Sequence, residues 1–282
     1  MSFSWENEWR LQNLREESFL TKHIMDKTPG WVRFVRRKVP SSLQRTLESA
    51  FGKAFFMVFQ KGTGIIEHTY KKDAQKSIFK KSSKQLRREG FSASGVRRFD
   101  RQARNTVKKN LLISFFEGIG LGICGMGIPD IPIFVSVMLK SIYEIAISFG
   151  FGYTSPEEKL FILKIIDTAL QSGDILRKKN EELDELIDNM NALKKEKHSF
   201  VKKGERFEEC DETDEYVVRL MICRQIDKSA ESLSNELLYG KFIQGKAFIG
   251  LIGGMNDVTC LNKITDYAVL KYKRRFLLKH ID

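Results

Sequence analysis

Three carboxylates lie in or beside glycine-rich apolar stretches, where they could perform acid–base or metal chemistry. Glu117 is the one charged residue of stretch 111–128, Asp130 follows that stretch, and Asp257 closes a second glycine-rich stretch at 247–257. A carboxylate in apolar surroundings is costly unless it is paired, and such groups concentrate at functional sites. If the glycine-rich helices pack together, the three carboxylates come close enough to form an acid–base or metal pair. The simpler account is that Asp130 and Asp257, which precede helical stretches, act as helix N-caps.

The rest of the sequence shows few signs of catalysis. It contains no GxSxG nucleophile motif and no Walker lysine after a glycine-rich loop. The four histidines are scattered, and the four cysteines form no CxxC pair. We therefore expect no metal, no cofactor, and reduced thiols in a cytoplasmic protein. We also expect no secretory signal peptide, because the first residues lack a basic region followed by an apolar one.

Clustered cations are the second chemical feature. Residues 71–109 contain 14 Lys or Arg and 3 Asp or Glu, a local balance of 14 − 3 = +11, and the whole chain carries +12. Such a cluster indicates an anionic partner, although charge runs are often only solvated or paired with an acidic run such as 181–188. The candidate lipid-binding residues are Lys80, Lys81, Lys84, Arg87, Arg88, Arg97, Arg98, Arg101 and Arg104.

The surroundings of this basic segment favour a membrane surface over nucleic acid. The segment has no helix-turn-helix, zinc-finger or RNP signature. Its aromatic residues follow the spacing of amphipathic helices, and the segment that adjoins it is strongly apolar. We therefore predict an anionic membrane surface or a membrane protein as the partner.

The elements that must position these residues are helices. Apolar residues recur at spacings of three and four, and no stretch alternates as a strand does. The run Ser155-Pro156-Glu157-Glu158 predicts a helix start, and Gly150 with Gly152 predicts the end of the preceding helix. We predict a loop at 199–212. The principal predicted helices are 71–88, 133–149, 175–198, 214–231, 233–244 and 258–279.

Glycines four residues apart mark a face along which two helices can approach closely. These helix-packing glycines are Gly118 and Gly122 in the first stretch, and Gly250 and Gly254 in the second. A spanning helix takes roughly 20 mainly apolar residues. Stretches 111–128 and 133–149 are shorter and contain three charged residues between them, which insertion into a bilayer disfavours. We therefore predict a buried glycine-rich apolar helical hairpin rather than a transmembrane pair, with a segment that inserts into lipid conditionally as the alternative.

Several blocks of the sequence resemble the EcsC protein family. The resemblance covers roughly 40–280. It is carried by Phe116-Glu117-Gly118 through Pro129-Asp130-Ile131-Pro132, Tyr143 to Ala146, Phe149 to Tyr153, Ser155 to Phe161, Gly250 to Gly254, Asn256, Ala268 and Arg275-Phe276-Leu277. The family takes its name from a protein encoded beside a bacterial ABC transporter, and its members are typically bacterial and helical. The resemblance carries over no catalytic residue.

Together these observations predict an all-α protein with a single multi-helix domain at 41–282 and an amphipathic helical extension at 1–40. The leading functional hypothesis is a non-enzymatic, membrane-peripheral protein that works with a bacterial membrane or ABC-transporter system at the inner face of the membrane. The alternative is a hydrolase-like enzyme with Glu117, Asp130 and Asp257 at a glycine-lined cleft. A pore-forming protein that uses the same hairpin is a third possibility.

Overall fold

The computed structural model describes residues 5–24, 40–61, 72–88, 95–105, 130–203, 212–243 and 255–280. Within these ranges the chain forms nine helices and no strand, which confirms the all-α prediction. The helices are α1 (Trp5–Ile24), α2 (Ser41–Lys61), α3 (Lys72–Arg88), α4 (95–105), α5 (Asp130–Ser148), α6 (Pro156–Ala169), α7 (Gly173–Lys203), α8 (Glu212–Ile243) and α9 (Met255–Leu278).

Helix α5 lies at the centre of the protein and packs against α2, α3 and α9. It is apolar on most sides, and every residue from Ser141 to Phe149 is buried. In the described part of the chain, its segment Ile131–Ser148 is long and apolar enough to cross a membrane. Most of that segment is buried inside the protein, as in the core helix of a soluble fold. The other arm of the predicted hairpin, 111–128, lies outside the described residues.

The chain turns sharply between α5 and α6 because local sequence signals end one helix and start the next. Gly150 has φ +80°, and the N–H of Phe151 donates to the carbonyl of Ala146 at 2.9 Å, the pattern of a Schellman C-cap. Ser155 then caps α6, since its side chain accepts from the N–H of Glu158 at 3.3 Å. The predicted end of α5 and the predicted start of α6 are both confirmed.

Two predicted boundaries were wrong. Helix α7 continues to Lys203 where a loop was predicted at 199–212, and α8 is continuous through residue 232 where two helices were predicted. No Gly or Pro occurs from 174 to 203 or from 212 to 239, so nothing in the backbone forces a break. Ser232, at the predicted break, donates a hydrogen bond to Asp167 of α6 at 2.7 Å instead of capping a helix.

Helix α1 packs against α7 and α9. Its contribution to the apolar interior is small, because Leu20 is its one buried hydrophobic side chain among the described residues. Trp9 and Phe19 pack at the edge of the main core. The division of the chain near residue 40 stays a prediction.

Candidate functional site

The exposed face of α3 carries the densest set of cations. Leu86 is buried and Phe79 is half-buried, so this side of α3 rests on the body of the protein. At about 100° per residue, the opposite side presents a cationic arc about 140° wide. All its members are exposed, and none makes an ion pair with a described carboxylate. They are Lys76, Lys80, Lys81, Lys84 and Arg88, which we call the α3 cation face.

Phe79 anchors α3 on the end of α5. A Cβ atom added to Gly150 would overlap the Cζ atom of the Phe79 ring. The glycine therefore leaves the space that the ring fills. The ring of Phe79 also lies 5.6 Å from that of Phe99 in α4, so one aromatic side chain joins α3, α4 and α5. This contact orients the α3 cation face away from the core.

The cations of α4 are placed differently, since several are paired within the protein. Arg97 lies 3.9 Å from Glu8 of α1, and Arg104 lies 3.5 Å from Asp100 and 3.4 Å from Asp266. These pairs reduce the positive charge that α4 presents to solvent. Of the other predicted binding residues, Arg101 is exposed, Arg98 is partly buried and has internal contacts, and the side chain of Arg87 lies outside the described residues.

The predicted carboxylate site falls mostly outside the described residues. Glu117 lies outside them, as do the four helix-packing glycines Gly118, Gly122, Gly250 and Gly254. Asp130 is the first residue of α5 and Asp257 lies in the first turn of α9, but their side chains are outside the described part. Asp257 is the third residue of α9, so it does not flank that helix as an N-cap residue does. The capping of α5 by Asp130 and the catalytic interpretation of the carboxylates stay predictions.

A buried ion pair that the sequence analysis did not identify joins α6 to α9. Arg275 is fully buried, and its Nη1 and Nη2 atoms donate to the two carboxylate oxygens of Glu158 at 2.9 and 2.6 Å. The guanidinium carbon lies 4.3 and 4.4 Å from the ring centroids of Phe151 and Phe161. Fork geometry and stacking on aromatic faces are the interactions for which Arg is best suited. Burial also raises the pKa of the neighbouring Tyr272 phenol well above its usual value.

A second buried network joins α9 to α1 and α7. Lys271 is fully buried, and its Nζ atom donates to Glu16 at 3.1 Å and to Asp184 at 2.7 Å. Arg274 lies 3.4 Å from Glu16 and 3.3 Å from Asp184, and its guanidinium covers the ring of Trp9 at 4.8 Å. Two cations of α9 therefore share two carboxylates, one from each neighbouring helix.

Lys273 is the least satisfied of the buried cations. It is 1% exposed, and its Nζ atom lies 3.6 Å from Glu8 without a hydrogen-bond acceptor among the described atoms. Desolvation by burial lowers the pKa of Lys273 below its usual value, with the nearby charges of Asp100 and Glu8 acting in the opposite direction and Arg15 in the same direction. Basic residues are concentrated from Lys271 to Arg275, in a helix that has buried residues on every side. This run of cations was the sequence signal that could have identified the network.

A fully paired carboxylate lies between α6, α7 and α8. Asp167 is buried and accepts hydrogen bonds from Lys179 at 2.7 and 2.8 Å, from Gln225 at 3.0 Å and from Ser232 at 2.7 Å. Gln171 adds another at 3.1 Å. A carboxylate that accepts this many hydrogen bonds holds three helices together and has few acceptor positions left for a ligand.

An open cleft of about 520 Å³ lies between α2 and α8. Its charged lining is balanced, with three cations and three carboxylates. These residues are Arg45, Lys53, Lys228, Glu48, Asp227 and Glu231. Across the described ranges, no three His, Cys, Asp or Glu side chains are grouped to hold a metal ion. The two described cysteines, the exposed Cys223 and the buried Cys260, are thiols.

Comparison with known proteins identifies a family and a distant relative. The model of the EcsC protein family matches residues 7–277, from within α1 to the end of α9. "Protein EcsC" of Bacillus subtilis (strain 168) is 23% identical over 172 residues, which span 59% of this chain and 61% of the relative. The match thus spans less than two thirds of that relative's length. No solved structure matches the chain.

Proposed function

This chain belongs to the EcsC protein family, and we propose that it is a non-enzymatic, membrane-peripheral protein whose α3 cation face binds anionic lipid. The observation that carries the proposal is the set of five exposed cations on one side of α3 that have no carboxylate partner in the described structure. Cations without a carboxylate partner among the described residues are available to an external anion.

The expected strength of this contact follows from the number of cations. A Lys or Arg near an anionic membrane contributes about 1 kcal/mol, so the five residues of the α3 cation face contribute up to about 5 kcal/mol at low salt. The Debye length falls from about 10 Å at 0.1 M salt to about 3 Å at 1 M. Binding through this face should therefore weaken strongly as salt is added.

An apolar side chain next to the α3 cation face supports a lipid surface as the partner. Ile78 is 48% exposed although it is a large hydrophobic residue. Helices that lie in the membrane interface combine cations with apolar side chains that enter the boundary between headgroups and acyl chains. The segment Ile131–Ser148 is mostly buried, so the proposal uses the surface of α3 and requires no insertion of α5.

The cellular setting that we propose follows from the same charge argument and from the family. The cytoplasmic leaflet carries a negative surface potential that attracts basic segments, which suits a protein at the inner face of the membrane. The resemblance to a protein encoded beside a bacterial ABC transporter suggests that a transporter or another membrane system is the partner there.

Co-sedimentation with vesicles tests the lipid proposal. We expect the purified protein to bind vesicles of phosphatidylcholine mixed with phosphatidylglycerol, and not vesicles of phosphatidylcholine alone. The variant Lys80→Glu/Lys84→Glu removes two cations and adds two anions, so its binding to the mixed vesicles should fall at least about tenfold. The matched control is Arg177→Glu/Lys178→Glu, which makes the same charge change at two exposed residues of α7 and should bind as the wild type does.

The same vesicles provide the results that would overturn the proposal. No binding to mixed vesicles at low salt would do so, as would an equal loss in both double variants, because net charge rather than the α3 cation face would then control binding. Release of a dye trapped in the vesicles would show insertion, which favours a pore-forming protein over a peripheral one. Binding without release supports the proposal.

A further inference from the structure

The face of α1 that contacts the rest of the protein is unusually polar. Glu8, Gln12 and Glu16 recur at intervals of four residues, so they lie along one side of the helix, and each is at least nine-tenths buried. Leu11 and Leu14, by contrast, are exposed. A helix held mainly by the hydrophobic effect would bury most of its leucines and leave its carboxylates in water, whereas Leu20 is the one buried leucine of α1.

The polar contacts of this face are specific but incomplete. Gln12 donates to the backbone carbonyl of Leu270 at 2.9 Å, whereas its own Oε1 atom is buried without a hydrogen-bond partner in the described structure. The Nζ atom of Lys273 is likewise buried without a hydrogen bond there, and the Nε atom of Arg274 makes none although it lies 3.3 Å from Asp184. Buried polar groups that lack partners cost free energy in the docked state, and hydration would restore their hydrogen bonds.

Release of α1 would leave much of the remaining network intact. Lys271 and Arg274 would lose Glu16 but keep Asp184, which belongs to α7. Lys273 would lose Glu8 and gain water, which removes the desolvation that lowers its pKa. Helix α1 contributes no residue to the main buried core within the described structure, and the apolar contacts that its departure would open are those of Leu20, Trp9 and Phe19.

We propose that α1 is a reversible electrostatic latch, which separates from α7 and α9 while the other helices stay folded and thereby exposes Lys271, Lys273 and Arg274. The docked state masks these three cations with the carboxylates of Glu8 and Glu16. The released state presents a second basic surface, independent of the α3 cation face. Release is favoured by salt, which stabilises separated charges, and by anions that compete for the three cations.

The other charged groups at this interface add little to the free energy of docking, so the docked and released states lie close in free energy. Arg15 of α1 donates to Asp100 of α4 at 3.1 Å, and Arg97 of α4 lies 3.9 Å from Glu8. These pairs are at the partly exposed margin, where an ion pair contributes less than in the interior. Helix α1 is thus attached at its centre by buried charges and at its margin by weak pairs.

Amide hydrogen exchange of the wild-type protein is the primary test. We expect the α1 amides to exchange at least about tenfold faster than those of α6, through an opening with a smaller denaturant dependence than global unfolding. Raising the salt concentration should accelerate amide exchange in α1 further and leave amide exchange in α6 unchanged. If α1 and α6 exchange through the same opening, with equal denaturant dependence, the latch does not exist.

Two double variants connect the opening to the buried charges. Glu8→Gln/Glu16→Gln should accelerate exchange in α1 by at least about tenfold, because it leaves buried cations without their charged partners, and should change α6 little. The matched control Glu6→Gln/Glu17→Gln changes two exposed carboxylates of the same helix. Glu6 and Glu8 both lie in the first turn, so their interactions with the helix dipole are similar.

Both remaining outcomes count against the latch. If Glu8→Gln/Glu16→Gln accelerates amide exchange in α6 as much as in α1, or if the variant does not fold, α1 belongs to the cooperative core. If the control pair accelerates α1 to the same extent, the opening reports loss of negative charge in general rather than the contacts with α9. The exchange measurements use no lipid, so their result is separate from that of the vesicle experiment.

Discussion

Replacing Glu158 by glutamine tests how strongly the buried ion pair holds α6 against α9. The substitution keeps the size of the side chain and removes its charge. One amide oxygen can still accept from the Arg275 guanidinium, but the amide NH₂ group faces a second N–H donor. The guanidinium then stays fully buried with one of its two hydrogen bonds to Glu158 lost.

The size of the effect follows from this geometry. A hydrogen bond to a charged group contributes about 1.5–3 kcal/mol, and breaking a buried pair by removing one charge costs about 3–5 kcal/mol. The aromatic rings of Phe151 and Phe161 beside the guanidinium offset part of the lost charge interaction. We therefore expect Glu158→Gln to lower the free energy of unfolding by about 3 kcal/mol, and the melting temperature by roughly 6 °C.

Urea unfolding followed by circular dichroism measures this loss, and Glu157→Gln is the matched control. Glu157 and Glu158 both lie in the first turn of α6, where a carboxylate gains about 0.3–1 kcal/mol from the helix dipole. Glu157 is exposed, so its replacement should cost only that amount. The difference between the two variants isolates the contact with Arg275.

A double-mutant cycle distinguishes the ion pair from a general effect of altered packing. The variant Arg275→Met leaves Glu158 buried without its cation, while Glu158→Gln/Arg275→Met removes both charges. We expect the double variant to be more stable than the sum of the two single losses predicts, by about 2 kcal/mol or more. A coupling energy near zero, or equal losses in Glu158→Gln and Glu157→Gln, would refute the assignment of a strong buried pair.

Two further predictions concern a turn and alkaline pH. Gly150→Ala should cost about 2 kcal/mol or more in urea unfolding, because φ is +80° and Phe79 fills the space, whereas Gly152→Ala, with nothing within 4 Å, should cost little. Burial raises the pKa of Tyr267 and Tyr272 well above 10.0. Their phenols ionise first in the unfolded chain, so stability should fall as pH rises above about 10, by up to about 2.7 kcal/mol per pH unit. The variant Tyr267→Phe/Tyr272→Phe should reduce this loss of stability at alkaline pH. An unchanged dependence of stability on pH would contradict the raised pKa of the two phenols.

The local features of this protein follow from its sequence. Ser155, Pro156 and Glu158 start α6 and Gly150 ends α5, because capping depends on a few consecutive residues. Apolar spacing likewise predicts the helical class, and simple counting places the excess positive charge in 71–109. The end of α7 and the break within α8 were predicted wrongly because polar residues were interpreted as the end of a helix, although the helical segments around both points contain no Gly or Pro.

Only the tertiary structure decided which charges are paired. Glu16 and Lys271 are 255 residues apart, and Glu158 and Arg275 are 117 apart. The basic residues of α3 and α4 look alike in sequence, yet those of α3 face away from the core whereas Arg97 and Arg104 contact carboxylates from distant segments. Local patterns report a residue's neighbours along the chain. The free energy of a charge depends instead on its burial and on the opposite charges that packing brings within a few ångströms.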